Sequence, residues 1–144
     1  MALEKWEKIH QPYEFNYWKE KGIFDYSNEE YFVEYWMNIW KWINVIPGRE
    51  VLDIGSGPRP VMKEGYVIEP LGKRYIEIAK KSWWENIILY AKPAEEFIQE
   101  LQNKFNFILC WNSIDHSYDP LKVLENINRY LKEGGILVLA TDLS

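Results

Sequence analysis

From Val51 onward the chain repeats one pattern, a short apolar run followed by a stretch with helical period. The apolar runs fall at Val51–Ile54, 66–68, 87–90, Phe105–Trp111 and 136–141. Between them, residues 73–84 read as a helix with Ile76, Ala79 and Trp83 on one face. Residues 94–102 read as a second helix with Phe97 and Leu101 inward. The strongest helix is marked by Leu121, Leu124, Asn128 and Leu131, with Val123, Ile127 and Tyr130 alongside, and Gly134-Gly135 would end it. Parallel strands need long crossovers, so this alternation predicts an α/β three-layer sandwich around a mainly parallel sheet. Right-handed crossovers then set the ligand crevice at the carboxyl ends of the strands.

A different composition precedes that pattern. Thirteen of the 24 aromatic residues lie in the first 46 positions, with five lysines against eight acids. Pro47-Gly48 is a turn signal that divides a helical cap (1–46) from the core (47–144) of one domain. In the cap, residues 3–9 predict a short helix with a Glu4–Lys8 pair, halted by Pro12. Ser27 and Glu30 have capping-box spacing. The helix they open carries Phe32, Tyr35, Trp36, Ile39 and Ile43 on one packing face.

Several classes are excluded by the same sequence. A net charge of −5 gives no electrostatic reason to bind nucleic acid. No apolar run is long enough to cross a bilayer, and charged residues interrupt the N-terminus where a signal peptide would need its apolar core. Cys110 is the single cysteine, which forbids an internal disulfide and leaves no thiol cluster for a metal. The expectation is a cytoplasmic, reduced protein without a metal.

The informative residues sit at the predicted strand ends. Asp53-Ile54-Gly55-Ser56-Gly57 ends the first strand in a glycine turn that lets a ligand approach the backbone. Asp53 argues against a dinucleotide, because a carboxylate there repels a pyrophosphate and suits a cation. The third glycine of the dinucleotide fingerprint is replaced by Pro60. Glu69 ends the second strand, where an acid accepts hydrogen bonds from a ribose diol. Glu95 follows the third strand and offers a further carboxylate. A ribose ligand with positive charge and no phosphate fits these three acids.

In these motifs the chain resembles class I S-adenosylmethionine-dependent methyltransferases of the type 11 group, over residues 48–142. Residues 51–57 look like the family's first motif and 67–70 like its second. The resemblance implies a Rossmann-like sheet of order 3-2-1-4-5 and S-adenosylmethionine as cofactor. It puts Gly55, Ser56 and Gly57 along the methionine part, with Asp53 holding its ammonium directly or through water. It puts Glu69 on the ribose diol and Pro70 or Leu71 beside the adenine, whose edge meets Ala94-Glu95. Cys110-Trp111-Asn112-Ser113 is similar to the motif after the fourth strand, so Trp111 and Asn112 lie beside the methionine. Asp115-His116, followed by Asp119-Pro120, is similar to a stretch of the type 11 enzymes, and residues 131–135 to the segment before the fifth strand. Asp115 or His116 would serve as a base wherever the acceptor must lose a proton. Tyr13, Tyr17 and Trp18 would close over the methionine or shape the acceptor pocket, or pack as plain core.

The sequence departs from that family in three places. Arg59 stands where the first motif has its third glycine, only about eight residues separate Pro58 from the second strand, and the sequence ends at Ser144, just after the fifth. Two readings follow: a methyltransferase for a small-molecule or partner-held acceptor, and a non-catalytic subunit that holds cofactor or fold for a partner. The last strand, 136–141, carries no charge, proline or bulge-forming glycine. Its open edge calls for a cover, either the aromatic helices or a second copy of the chain in a homodimer.

Overall fold

The structure, a computed structural model, describes residues 1–22, 26–43 and 50–142. Pro47-Gly48 lies outside the described residues. The N-terminal segment is helical from residue 3 to 22: α1 (Leu3–Lys5), a π-helical turn (Trp6–His10), α2 (Gln11–Tyr17) and a second π-helical turn (Trp18–Gly22). α3 (Glu29–Ile43) follows. Then come β1 (Val51–Ile54), β2 (Glu64–Ile68), α4 (Gly72–Ile78), β3 (Asn86–Tyr90), β4 (Phe105–Trp111), α5 (Pro120–Tyr130) and β5 (Leu131–Ala140).

All four strand pairings are parallel, in the order β3-β2-β1-β4-β5. β1 and the middle of β4 are buried on both faces, as central parallel strands require. Two apolar layers enclose the sheet. One joins Phe32, Trp36 and Ile39 of α3 to Val51, Val67, Phe107 and Tyr75. The other joins Val123, Ile127 and Tyr130 of α5 to Leu52, Ile68, Ile108 and Cys110.

Several local expectations are corrected. Pro12 does not halt the first helix. The Gln11 N–H reaches back to the Trp6 carbonyl, five residues away, and this π turn makes room for a ring that cannot donate. The cap of α3 is Asn28: its side chain accepts from the Tyr31 N–H at 3.1 Å and its carbonyl from the Phe32 N–H. The helix expected over 73–84 ends at Ile78, and its buried residue is Tyr75, whereas Ile76 is exposed. Only a 3-10 turn, Gln99–Leu101, forms within 94–102, with Ile98 and Leu101 inward. No helix occupies residues 55–63, so the first crossover is a loop.

The fifth strand also differs. It begins directly after α5, because Leu131 pairs with Phe105 while Ile136 pairs with Phe107. Residues 132–135 therefore bulge out of the ladder, and Gly134-Gly135 lies in that bulge rather than ending the helix. The strand as formed contains Lys132, Glu133 and two glycines at its start, contrary to the expectation for its edge. β5 is the outer strand among the described residues, with Ile136 and Leu139 exposed. Three contacts of residues 1–22 run instead to other parts of the molecule: the Met1 amine donates to the Tyr118 carbonyl, Trp6 Nε1 to the His116 carbonyl, and the Phe15 ring stacks on Tyr75 of α4.

Candidate functional site

The parallel topology gathers the loops after β1, β2, β3 and β4 at one edge of the sheet, and α2 lies against them. The turn after β1 is the tightest part. Gly55 has φ +70°, and a Cβ there would stand 2.3 Å from the Ser113 Cβ. Only glycine meets both demands. Ser113 in turn donates to the Ile54 carbonyl at 3.0 Å, tying the β4 loop to the β1 turn. Gly57, at φ +63°, gives its N–H to Glu69 Oε2 at 3.1 Å, and the Trp18 indole packs over it.

The loop beyond Gly57 is held by side chains from the aromatic segments. Trp40 Nε1 donates to the Val61 carbonyl at 2.6 Å and Trp84 Nε1 to the Pro58 carbonyl at 2.9 Å. Arg59, 8% exposed, donates to both carboxylate oxygens of Glu29 and to the Tyr26 carbonyl. Its guanidinium lies 3.7 Å from the Phe32 ring centroid and 4.6 Å from that of Trp83. Arg59 thus replaces the flexibility of a third glycine with a clamp between the loop and α3.

Two acids are buried at this edge. Asp53 Oδ2 accepts the Val61 N–H at 3.1 Å, and burial pushes the carboxyl up to about 7. Glu69 accepts from Gly57 and Leu71, one N–H to each oxygen. Burial raises it to about 8, with the Glu14 charge adding to the effect. Both carboxyls are costly to ionise alone, so a cation or a hydroxyl pair brought to them is favoured. The Tyr75 hydroxyl and the Trp36 indole N–H, both buried, have no hydrogen-bond partner among the described residues.

Two cavities open along the edge. The larger, about 740 Å³, is lined by Asp53, Gly55, Ser56, Gly57, Trp111, Asn112, Asp115 and His116. The smaller, about 50 Å³, is lined by Gly55, Glu69, Pro70, Ala94, Glu95 and His116. The residues expected from sequence are thus brought to one cleft, except Leu71, which lines neither cavity and contributes its N–H to Glu69. Glu95 Oε1 is engaged by the Tyr118 and Asp119 N–H groups, which fixes the loop before α5.

The sequence reading missed Glu14. It lines both cavities, and its Oε2 lies 3.8 Å from His116 Nδ1. Asp115 Oδ2 lies 3.2 Å from the other ring nitrogen, Nε2. Hydrogen bonding to Glu14 is the largest influence raising the His116 pKa above its ordinary value. Glu14 belongs to a helix remote in sequence, so no motif marks it. Tyr13, Tyr17 and Trp18 do line the larger cavity, joined by Tyr31, which the sequence reading did not single out, and by Tyr35, which it placed on the packing face of the helix. Trp111 Nε1 donates to the Tyr35 hydroxyl at 2.9 Å.

A parallel sheet of this order, with a glycine turn bounded by two buried acids at the carboxyl ends of its strands, defines a class I methyltransferase fold. The chain belongs to the methyltransferase domain family, whose model matches residues 39–144. It is 26% identical over 154 residues to the ubiquinone biosynthesis O-methyltransferase of Histophilus somni, covering 96% of this chain and 62% of that protein. The chain therefore spans about three fifths of the length of that curated relative. The PH0226 protein of Pyrococcus horikoshii has the same fold, with a TM-score of 0.62 and 17% identity over 85% of this chain and 63% of that one. A chain in the complex of the Haloferax volcanii Trm112 methyltransferase activator matches with a TM-score of 0.59 and 18% identity, covering 85% and 57%. The family's cofactor is S-adenosylmethionine.

Proposed function

We propose that the chain is the cofactor-binding part of an S-adenosylmethionine-dependent methyltransferase that acts on a small-molecule acceptor. The observation that carries this reading is the junction at Gly55: two cavities meet there, one bordered by Glu69 and the other by Asp53 and a wall of aromatic rings. Asp53 takes the cofactor's ammonium, which restores the charge that burial suppresses. Each Glu69 oxygen already holds one N–H and retains capacity for a ribose hydroxyl. Pro70, Ala94 and Glu95 would border the adenine, with Leu71 behind them holding Glu69 through its N–H, and Ser56, Trp111 and Asn112 would border the methionine.

Bound there, the cofactor supplies a methyl group activated on a sulfonium. The protein's own work is to orient the acceptor, exclude water and take a proton. His116, half-exposed and set between Glu14 and Asp115, receives the proton an acceptor sheds, and Glu14 stabilises the imidazolium that results. The clamp at Arg59 fixes the loop beside the site, and the ring wall borders the cavity where the acceptor would lie. Glu69 is only 2% exposed, so cofactor entry requires groups that bury it to move.

Calorimetric titration with S-adenosylmethionine tests the reading. Micromolar binding is expected for the wild type. Glu69→Ala, which strips partners from the Gly57 and Leu71 N–H groups, is expected to weaken binding by about 1–3 kcal/mol. Wild-type affinity in Glu69→Ala would refute the assigned role.

A further inference from the structure

The large cavity is aromatic, acidic and short of available cations. Its ionisable lining includes Glu14, Asp53, Asp115 and Asp142 against His10, His116 and Arg59. No lysine lines it among the described residues. The Arg59 charge is committed to Glu29 and to the two rings that sandwich it. Assigning Asp53 to the cofactor's ammonium leaves Glu14 and Asp115 on either side of His116 as the remaining carboxylate pair of the large cavity, with Glu14 and His116 also reaching its junction with the smaller one.

The rings add a second, independent element. Tyr13, Tyr17, Tyr31 and Tyr35 are 73, 48, 45 and 44% exposed, so none is core, yet all four border one concavity. Aromatic faces attract cations and planar groups alike. An acceptor bearing a carboxylate or phosphate would lose its hydration beside carboxylates, with no lysine and no uncommitted arginine among the described lining residues to meet it. An ammonium on a flat or apolar body meets both parts of the wall.

We propose that the acceptor is an organic amine, captured as its ammonium by Glu14, Asp115 and the tyrosine wall, so that the reaction is N-methylation. This rests on the methyltransferase reading and names the acceptor for it. One N–H proton passes from the ammonium to neutral His116. The freed lone pair forms the new C–N bond while the donor's C–S bond breaks. That bonding pair stays on sulfur, which goes from sulfonium to uncharged thioether, and the product leaves as the methylated ammonium.

The test uses three probes with one ring and different ends: tyramine, tyrosol and 4-hydroxyphenylacetate. Each is titrated calorimetrically into the full chain saturated with S-adenosylhomocysteine. Tyramine is expected to bind about tenfold tighter than tyrosol, and the acid most weakly. Glu14→Gln and Asp115→Asn are each expected to weaken tyramine about fivefold while tyrosol stays within about twofold. S-adenosylhomocysteine affinity, measured first on every variant, reports the fold and the cofactor site separately. Absence of S-adenosylhomocysteine binding to the wild type removes the methyltransferase reading and this one with it. Normal S-adenosylhomocysteine binding with tyramine no tighter than tyrosol, with the acid tightest, or with none of the three bound, overturns the amine alone.

Discussion

The two sides of the cleft are built from different materials. The side proposed to hold the cofactor is mostly backbone: glycine turns and N–H groups fixed by strand register, joined by two buried carboxylates. Asp53 and Glu69 are 3% and 2% exposed and hold their partners at 3.0–3.1 Å. The side proposed to hold the acceptor is side chain: tyrosines that are 44–73% exposed, supplied by helices that precede the sheet. A site made of backbone tolerates little change, because each element also holds the fold. A wall of exposed rings can be altered without loss of the scaffold. This contrast would let one cofactor platform serve different acceptors.

The largest effect that would sharpen the contrast is expected from Gly55→Ala. Its methyl group collides with Ser113 and the backbone is left-handed there, so chemical denaturation should register a loss of about 3 kcal/mol or more. Wild-type stability would mean that the turn is not constrained as described.

Next comes pH. Burial raises the folded-state pKa of Asp53 to about 7 and of Glu69 to about 8, above their unfolded values. The protonated forms therefore favour folding: their contribution is complete below about pH 4 and is lost as pH rises through 7 and 8. His116, also raised, acts in the same direction. The melting temperature of the unliganded protein should fall between pH 6 and 9. Asp53→Asn together with Glu69→Gln should flatten that slope, and an unchanged slope would break the assignment of buried acids.

Arg59→Ala ranks third, with an expected stability loss of about 2 kcal/mol from two ring contacts and the carbonyl and carboxylate bonds. The smallest effect belongs to the acceptor side. Tyr13→Ala should change stability by no more than about 0.5 kcal/mol, with cofactor affinity within about twofold. A large loss in either would erase the distinction between the two sides.

Sequence made the strand-end cluster legible because its elements are local. Strands β1 and β4 were bounded correctly from apolar runs alone, and Asp53, Gly55, Gly57 and Glu69 stand beside strand ends that any parallel sheet brings together. The acceptor side was only partly readable. Tyr35 shares the helical stripe of Phe32 and Trp36, and periodicity cannot separate a ring that lines a cavity from one that packs. Glu14 reaches His116 across a hundred residues of chain, so only the tertiary fold makes them neighbours. Pro12 misled for a different reason: a π turn removes the clash that ordinarily ends a helix. Arg59, a departure in the motif, became intelligible once Glu29, Phe32 and Trp83 were seen around it.

Calorimetric titration of S-adenosylhomocysteine at pH 7, in two buffers with different ionisation heats, tests the central claim most directly. Asp53 is about half protonated at that pH without ligand, and pairing with the ligand's ammonium forces ionisation. One-site binding is expected, with proton release that appears as a buffer-dependent enthalpy and diminishes in Asp53→Asn. No binding heat in either buffer, or binding with the same enthalpy in both, would contradict the account.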